Sequence, residues 1–78
     1  MNVEPFRILL ASQPDRERLV AEIYLSDEQV ADLSEEVPGT ILLEIFPKPT
    51  GGLWAIDLHS FQRVLRIAEQ SLQDRNRQ

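Results

Sequence analysis

The sequence predicts an α+β fold: an antiparallel β-meander of four to five strands with one C-terminal α-helix packed on one face. Three observations lead there. Apolar residues alternate with period two through most of the chain before residue 58. Clusters of Pro, Gly, Ser and Asp cut that stretch into short segments. After Asp57 the period changes to that of a helix, with Phe61, Leu65, Ala68 and Leu72 at i, i+4, i+7 and i+11.

The elements follow in order. Phe6, Ile8 and Leu10 share one side of a first strand, which Ser12-Gln13-Pro14-Asp15 ends. Leu19, Ala21, Ile23 and Leu25 alternate against Val20, Glu22 and Tyr24 in a second. Ser26–Glu36 admits two readings. Ser26 and Gln29 fit a helix capping box, with Val30 and Leu33 at helical spacing. Alternatively, Val20–Tyr24 and Val30–Ser34 are two arms of a hairpin around Ser26–Gln29. The segment is short for a helix, and the hairpin is preferred. Val37-Pro38-Gly39 is a turn, and Thr40–Phe46 is the most β-prone stretch. Pro47–Gly52 stops that strand, because proline removes ladder donors and glycine supplies positive φ. Leu53–Asp57 reads as a short last strand. Asp57 suits a helix N-cap, and the amphipathic pattern runs about four turns, to roughly Asp74. Residues 1–78 read as a single domain with a core spanning about 5–74 and a frayed tail at 75–78.

Composition narrows the function. A 78-residue chain has a thin stability margin and often needs a staple. With no cysteine a disulfide is excluded, and with one histidine a structural zinc is not expected. Self-association is the staple left. Met1–Ser12 lacks the basic segment of a signal peptide, and no apolar run reaches the ~20 residues of a membrane span. A cytoplasmic, membrane-free protein is therefore expected. The net charge of −5 is uneven. Leu19–Phe46 holds seven acids (Glu22, Asp27, Glu28, Asp32, Glu35, Glu36 and Glu44) and no Lys or Arg. From Leu58 onward, Arg63, Arg66, Arg75 and Arg77 outnumber Glu69 and Asp74. The plain interpretation is a solvated acidic face with a basic helix end suited to the helix dipole; the sharper one is an acidic patch for a basic partner.

Catalytic chemistry is not legible. Gly51-Gly52 lacks the Lys-Ser/Thr of a phosphate loop. Asp57, His59 and Ser60 are too close in sequence to face one another on a helix. The acids show no calcium-loop spacing. No enzyme activity, cofactor, metal or small-molecule substrate is expected.

One helix covers only one face of a sheet, and the second should then be polar. Here that face reads as apolar groups around carboxylates: Leu9 and Ala11, then Val20, Glu22 and Tyr24, then Leu42, Glu44 and Phe46. Ile41, Leu43 and Ile45 belong to the opposite face. Aligned, the first set would form an apolar patch on the order of several hundred Å², the size that marks an interaction surface. Alternatively, loops cover it. Trp54 either plugs the end of the core, the favoured reading, or anchors an interface. The expected partner-binding residues are Val20, Tyr24, Leu42, Phe46 and Trp54, with Glu22 and Glu44 as an acidic rim.

The segments Val20–Tyr24, Leu43–Pro47 and Trp54–Leu58, followed by Phe61, Leu65, Ala68 and Leu72, resemble small uncharacterised bacterial single-domain proteins, some of them immunity- or antitoxin-like. The resemblance rests on fold-determining positions and carries over no site residue. It implies a non-catalytic protein-interaction module, immunity-like and homodimeric or bound to a protein partner. The alternative is a nucleic-acid-associated regulator using Arg63 and Arg66, with Arg75 and Arg77 beyond them, although the net charge opposes it.

Overall fold

The structure is a computed structural model describing residues 1–77. It is a five-stranded antiparallel sheet in the sequential order β1-β2-β3-β4-β5, followed by one helix. The strands are β1 (Asn2–Val3), β2 (Phe6–Ser12), β3 (Leu19–Leu25), β4 (Glu28–Ser34) and β5 (Leu42–Ile45); α1 spans Leu58–Asn76. The α+β meander is thus the fold.

The period-two pattern sets the register. β2 and β3 pair without interruption from Phe6↔Leu25 to Ser12↔Leu19. This puts Phe6, Ile8 and Leu10 beside Leu25, Ile23 and Ala21 on the helix side. The Ser26–Glu36 segment forms the second arm of a hairpin, because Leu25↔Glu28 closes the pair around the two-residue turn Ser26-Asp27. Ser26 has φ 54°, the positive value that two-residue hairpin turns require at their first central position.

A bulge interrupts this hairpin. Ile23 faces Ala31 while Tyr24 faces Gln29, leaving Val30 as an extra residue. Strict alternation would turn Val30 to the same side as Asp32. The bulge instead lets both Val30 and Ala31 join the buried cluster with Ile23, Val64, Ala68 and Leu72.

α1 lies over the middle of the sheet and is fixed at both ends. Asp57 caps it by accepting from the Ser60 N–H at 2.9 Å. Phe61 meets Phe6 with ring centroids 5.9 Å apart, and the Arg63 guanidinium donates to the Glu4 carbonyl at 2.8 Å. At the far end the Asn76 Oδ1 accepts from the Leu19 N–H at 3.2 Å. That contact extends the helix beyond the expected stop near Asp74, so Arg75 and Asn76 are helical rather than frayed. Arg77 is the C-cap, its N–H donating to the Gln73 carbonyl at 3.2 Å, and Gln78 lies outside the described residues.

Two further expectations are corrected. Leu53–Asp57 is an unpaired extended connection, not a strand. Gly51 and Gly52, at φ 85° and 82°, turn the chain out of the sheet, and the Trp54 indole N–H then donates to the Phe46 carbonyl at 2.7 Å. The fifth strand is instead β1, where Asn2 and Val3 fold back on Arg7 and Phe6.

Leu72 is fully buried beneath the C-terminal part of α1. Leu72→Ala is expected to cost about 3 kcal/mol, since the removed methyl groups leave a cavity that a 78-residue core cannot close. Urea denaturation of both proteins measures it.

Candidate interaction surface

The face away from α1 is built by register. Reading across the sheet, Leu9, Glu22, Asp32 and Glu44 form one row, and Ala11, Val20, Ser34 and Leu42 the next. Three carboxylates therefore sit on three adjacent strands, an arrangement that is unfavourable without compensation. The β2–β3 loop, residues 13–18, supplies it. The Gln13 amide donates to Glu22 at 3.0 Å and to Asp32 at 3.3 Å. Arg16 pairs with Glu44 at 2.9 Å and reaches the Ser34 hydroxyl at 3.4 Å. Arg18 donates to the Glu35 carbonyl at 3.2 Å. From the sheet itself, the Gln29 amide donates to Asp32 and the Tyr24 hydroxyl donates to Glu22 at 3.0 Å.

Asp32 is the centre of this network and is buried. Burial pushes its carboxyl above the usual carboxylate range, the charges of Glu22 and Glu44 push the same way, and the amides of Gln13 and Gln29 oppose them. Burial also raises Tyr24, assisted by its hydrogen bond to Glu22.

This arrangement corrects the expected apolar patch. Val20 is fully buried and presents no surface to a partner. Tyr24 is half-buried, with the Arg7 guanidinium 4.6 Å from its ring centroid. Glu22 and Glu44 flank Asp32, Glu22 inside the face on β3 and Glu44 at its border on the edge strand β5. Phe46 and Trp54 are half-buried; Trp54 packs against the core, and the Lys48 ammonium lies 5.6 Å from its ring. Of the five apolar residues singled out from sequence, Leu42 alone is exposed.

Of the exposed large apolar residues, which also include Met1, Leu9, Val37, Leu53 and Leu58, three share one strand: Leu42, Leu43 and Ile45 of the edge strand β5 are 52%, 40% and 57% exposed. Leu43 and Ile45 point to the helix side, but α1 packs on β2, β3 and β4 and does not extend over them. The backbone of β5 is open as well. The Phe46 N–H donates to the Val30 carbonyl at 2.9 Å, which with the Ile45↔Ala31 register turns the amides of Leu42, Glu44 and Phe46 toward β4. By alternation, those of Leu43 and Ile45 point away from the sheet. Beside Leu42 is an open notch of about 220 Å³, lined by Arg16, Ser34, Glu36, Val37, Thr40 and Leu42. The other edge differs: β1 is two residues long and is followed by Pro5, a combination that blunts pairing.

Among the described residues no group of three His, Asp or Glu side chains is placed to hold a metal ion, and no helix is long and apolar enough to cross a membrane. His59 is exposed in the first turn of α1. Arg66 and Arg75 are exposed along the helix, whereas Arg63 is engaged by Glu4. In comparisons with known proteins the chain matches no family model, no curated protein and no solved structure.

The raised Asp32 pKa sets the sign of a pH effect. The folded protein holds this proton more tightly than the unfolded chain, where an aspartate titrates near 3.9. The Asp32 contribution to stability is therefore full below about pH 4 and is lost as pH rises through the folded-state value. Asp32→Asn is expected to remove that component, so its stability relative to wild type increases from acid toward neutral pH. Paired urea titrations across that range measure the difference.

Proposed function

We propose that this protein is a non-catalytic interaction module that takes up an extended polypeptide segment along the open edge of β5. The observation that carries this reading is the coincidence, on one strand, of exposed Leu42, Leu43 and Ile45 with outward backbone amides. Strand addition draws affinity from main-chain hydrogen bonds and specificity from pockets for alternate side chains, and β5 offers both, with the notch beside Leu42 as the pocket. At four residues β5 is short, but three of the four are exposed and apolar and none is the lysine or proline that blunts an edge. In this reading the immunity-like behaviour suggested by the sequence takes the form of occlusion: a partner's segment is sequestered as a sixth strand.

The test is affinity capture, from cells that express the protein, with wild type immobilised at low density and compared with Ile45→Lys. A charge on the outward edge should abolish capture of the specific partner while the circular dichroism spectrum is unchanged. Equal capture by both proteins would overturn the reading.

A further inference from the structure

We infer that β5 pairs with β5 of a second copy of this chain, antiparallel about a two-fold axis at Leu43, to give a continuous ten-stranded sheet. This rests on the edge-binding reading above and commits to one occupant.

The backbone restricts the choice. A two-fold axis normal to the sheet keeps helix face against helix face, so outward residues of one β5 must oppose outward residues of the other. The outward set is Leu43 and Ile45, and Ile41 when the strand is extended by alternation. Registers centred on residues 42, 43, 44 and 45 of β5 are then available, and centring on Ile45 sets Leu43 opposite Pro47, which has no N–H. Placing Glu44 opposite Glu44 sets two carboxylates directly across from one another and brings Pro47, which has no N–H, opposite Ile41. Placing Leu42 opposite Leu42 leaves Ile45 facing Gly39, which lies in a turn at φ 87° and cannot extend the ladder. Placing Leu43 opposite Leu43 matches Ile41 with Ile45 on both sides of the axis, and every outward residue meets an apolar one.

On the carboxylate face the same register sets Leu42 of each copy opposite Glu44 of the other, so that no two carboxylates face one another. Phe46 of the second copy falls opposite Thr40, at the mouth of the notch that Thr40, Val37 and Leu42 line. Charge does not oppose the pairing, because the carboxylate nearest the axis, Glu44, is already paired with Arg16. Self-association is also the staple available to a 78-residue chain without cysteine. Edge pairing of this length lies at the small end of stable interfaces.

Light scattering after size exclusion, from roughly 10 μM to 1 mM, should show wild type passing from monomer to twice the monomer mass. Leu43→Lys should stay monomeric over the whole range. The register is read separately in the cysteine-free background. Residues opposite at the axis are ~5.5 Å apart between Cα atoms, within disulfide reach, while two copies of position 45 are ~14 Å apart. Under mild oxidation Leu43→Cys should therefore cross-link at least tenfold faster than Ile45→Cys. A monomeric wild type, a Leu43→Lys dimer, or equal cross-linking of the two cysteine variants would overturn the inference. If wild type is monomeric but cellular capture still depends on Ile45, self-pairing fails and the edge-binding reading survives. If capture is also indifferent to Ile45, both fail.

Discussion

A helix is about 10–12 Å across, and five strands at about 4.8 Å spacing make a sheet roughly 19 Å wide. That mismatch governs this molecule. α1 settles over β3 and the strands on either side, pinned by Glu4 and Phe6 at one end and by Leu19 at the other. Beneath it Phe6, Ile8, Ala21, Ile23, Ala31 and Leu33 are buried. β5 lies outside it, and the apolar side chains that a wider cover would hide remain in solvent. The surface to which we assign function is thus a direct result of having one helix.

The opposite face solves a different problem. It has no helix, yet Val20, Ser34 and Asp32 are buried there. The cover is a loop, residues 13–18, whose long side chains reach back over the strands. Their hydrogen-bonding groups neutralise or solvate a row of acids that would otherwise repel, and their stems hide the apolar neighbours. A loop rich in Gln and Arg and poor in apolar residues can do this because what it covers is charged. This division, apolar packing under α1 and polar bonding under the loop, lets a short chain bury both sides of its sheet.

Much of the fold could be read from the residues because each signal was local. The alternation in Phe6–Leu10 and Leu19–Leu25 fixed which side chains share a face, and the Asp57 cap and the Phe61–Leu72 spacing fixed the helix. The ambiguous Ser26–Glu36 segment is instructive. Val30 and Leu33 are three apart, a helical spacing, yet both are buried in a strand because the bulge shifts Val30 by one position. The site was less legible. Sequence alternation places Leu43 and Ile45 on the helix side but cannot show that the helix falls short of them. It also cannot show that Gln13 and Arg16, distant in sequence from Asp32 and Glu44, fold across them. Both facts belong to the tertiary arrangement. A width comparison between one helix and five strands was the available signal for the first. For the second, the run of seven acids between Leu19 and Phe46 called for cations from elsewhere in the chain.

The unequal edges of the sheet bear on stoichiometry. On one side Met1 exchanges main-chain hydrogen bonds with Ile8, its ammonium donating to the Ile8 carbonyl at 2.9 Å and its carbonyl accepting from the Ile8 N–H at 2.8 Å. Met1, Asn2 and Val3 thereby pair with Ile8, Arg7 and Phe6 at the start of β2. A sheet with two receptive borders can add copies without limit and grow into a filament; a sheet with one is saturated after a single addition. The two borders of this sheet differ in that way: one ends in the two-residue β1 followed by Pro5, and a single pairing through β5 consumes the apolar one.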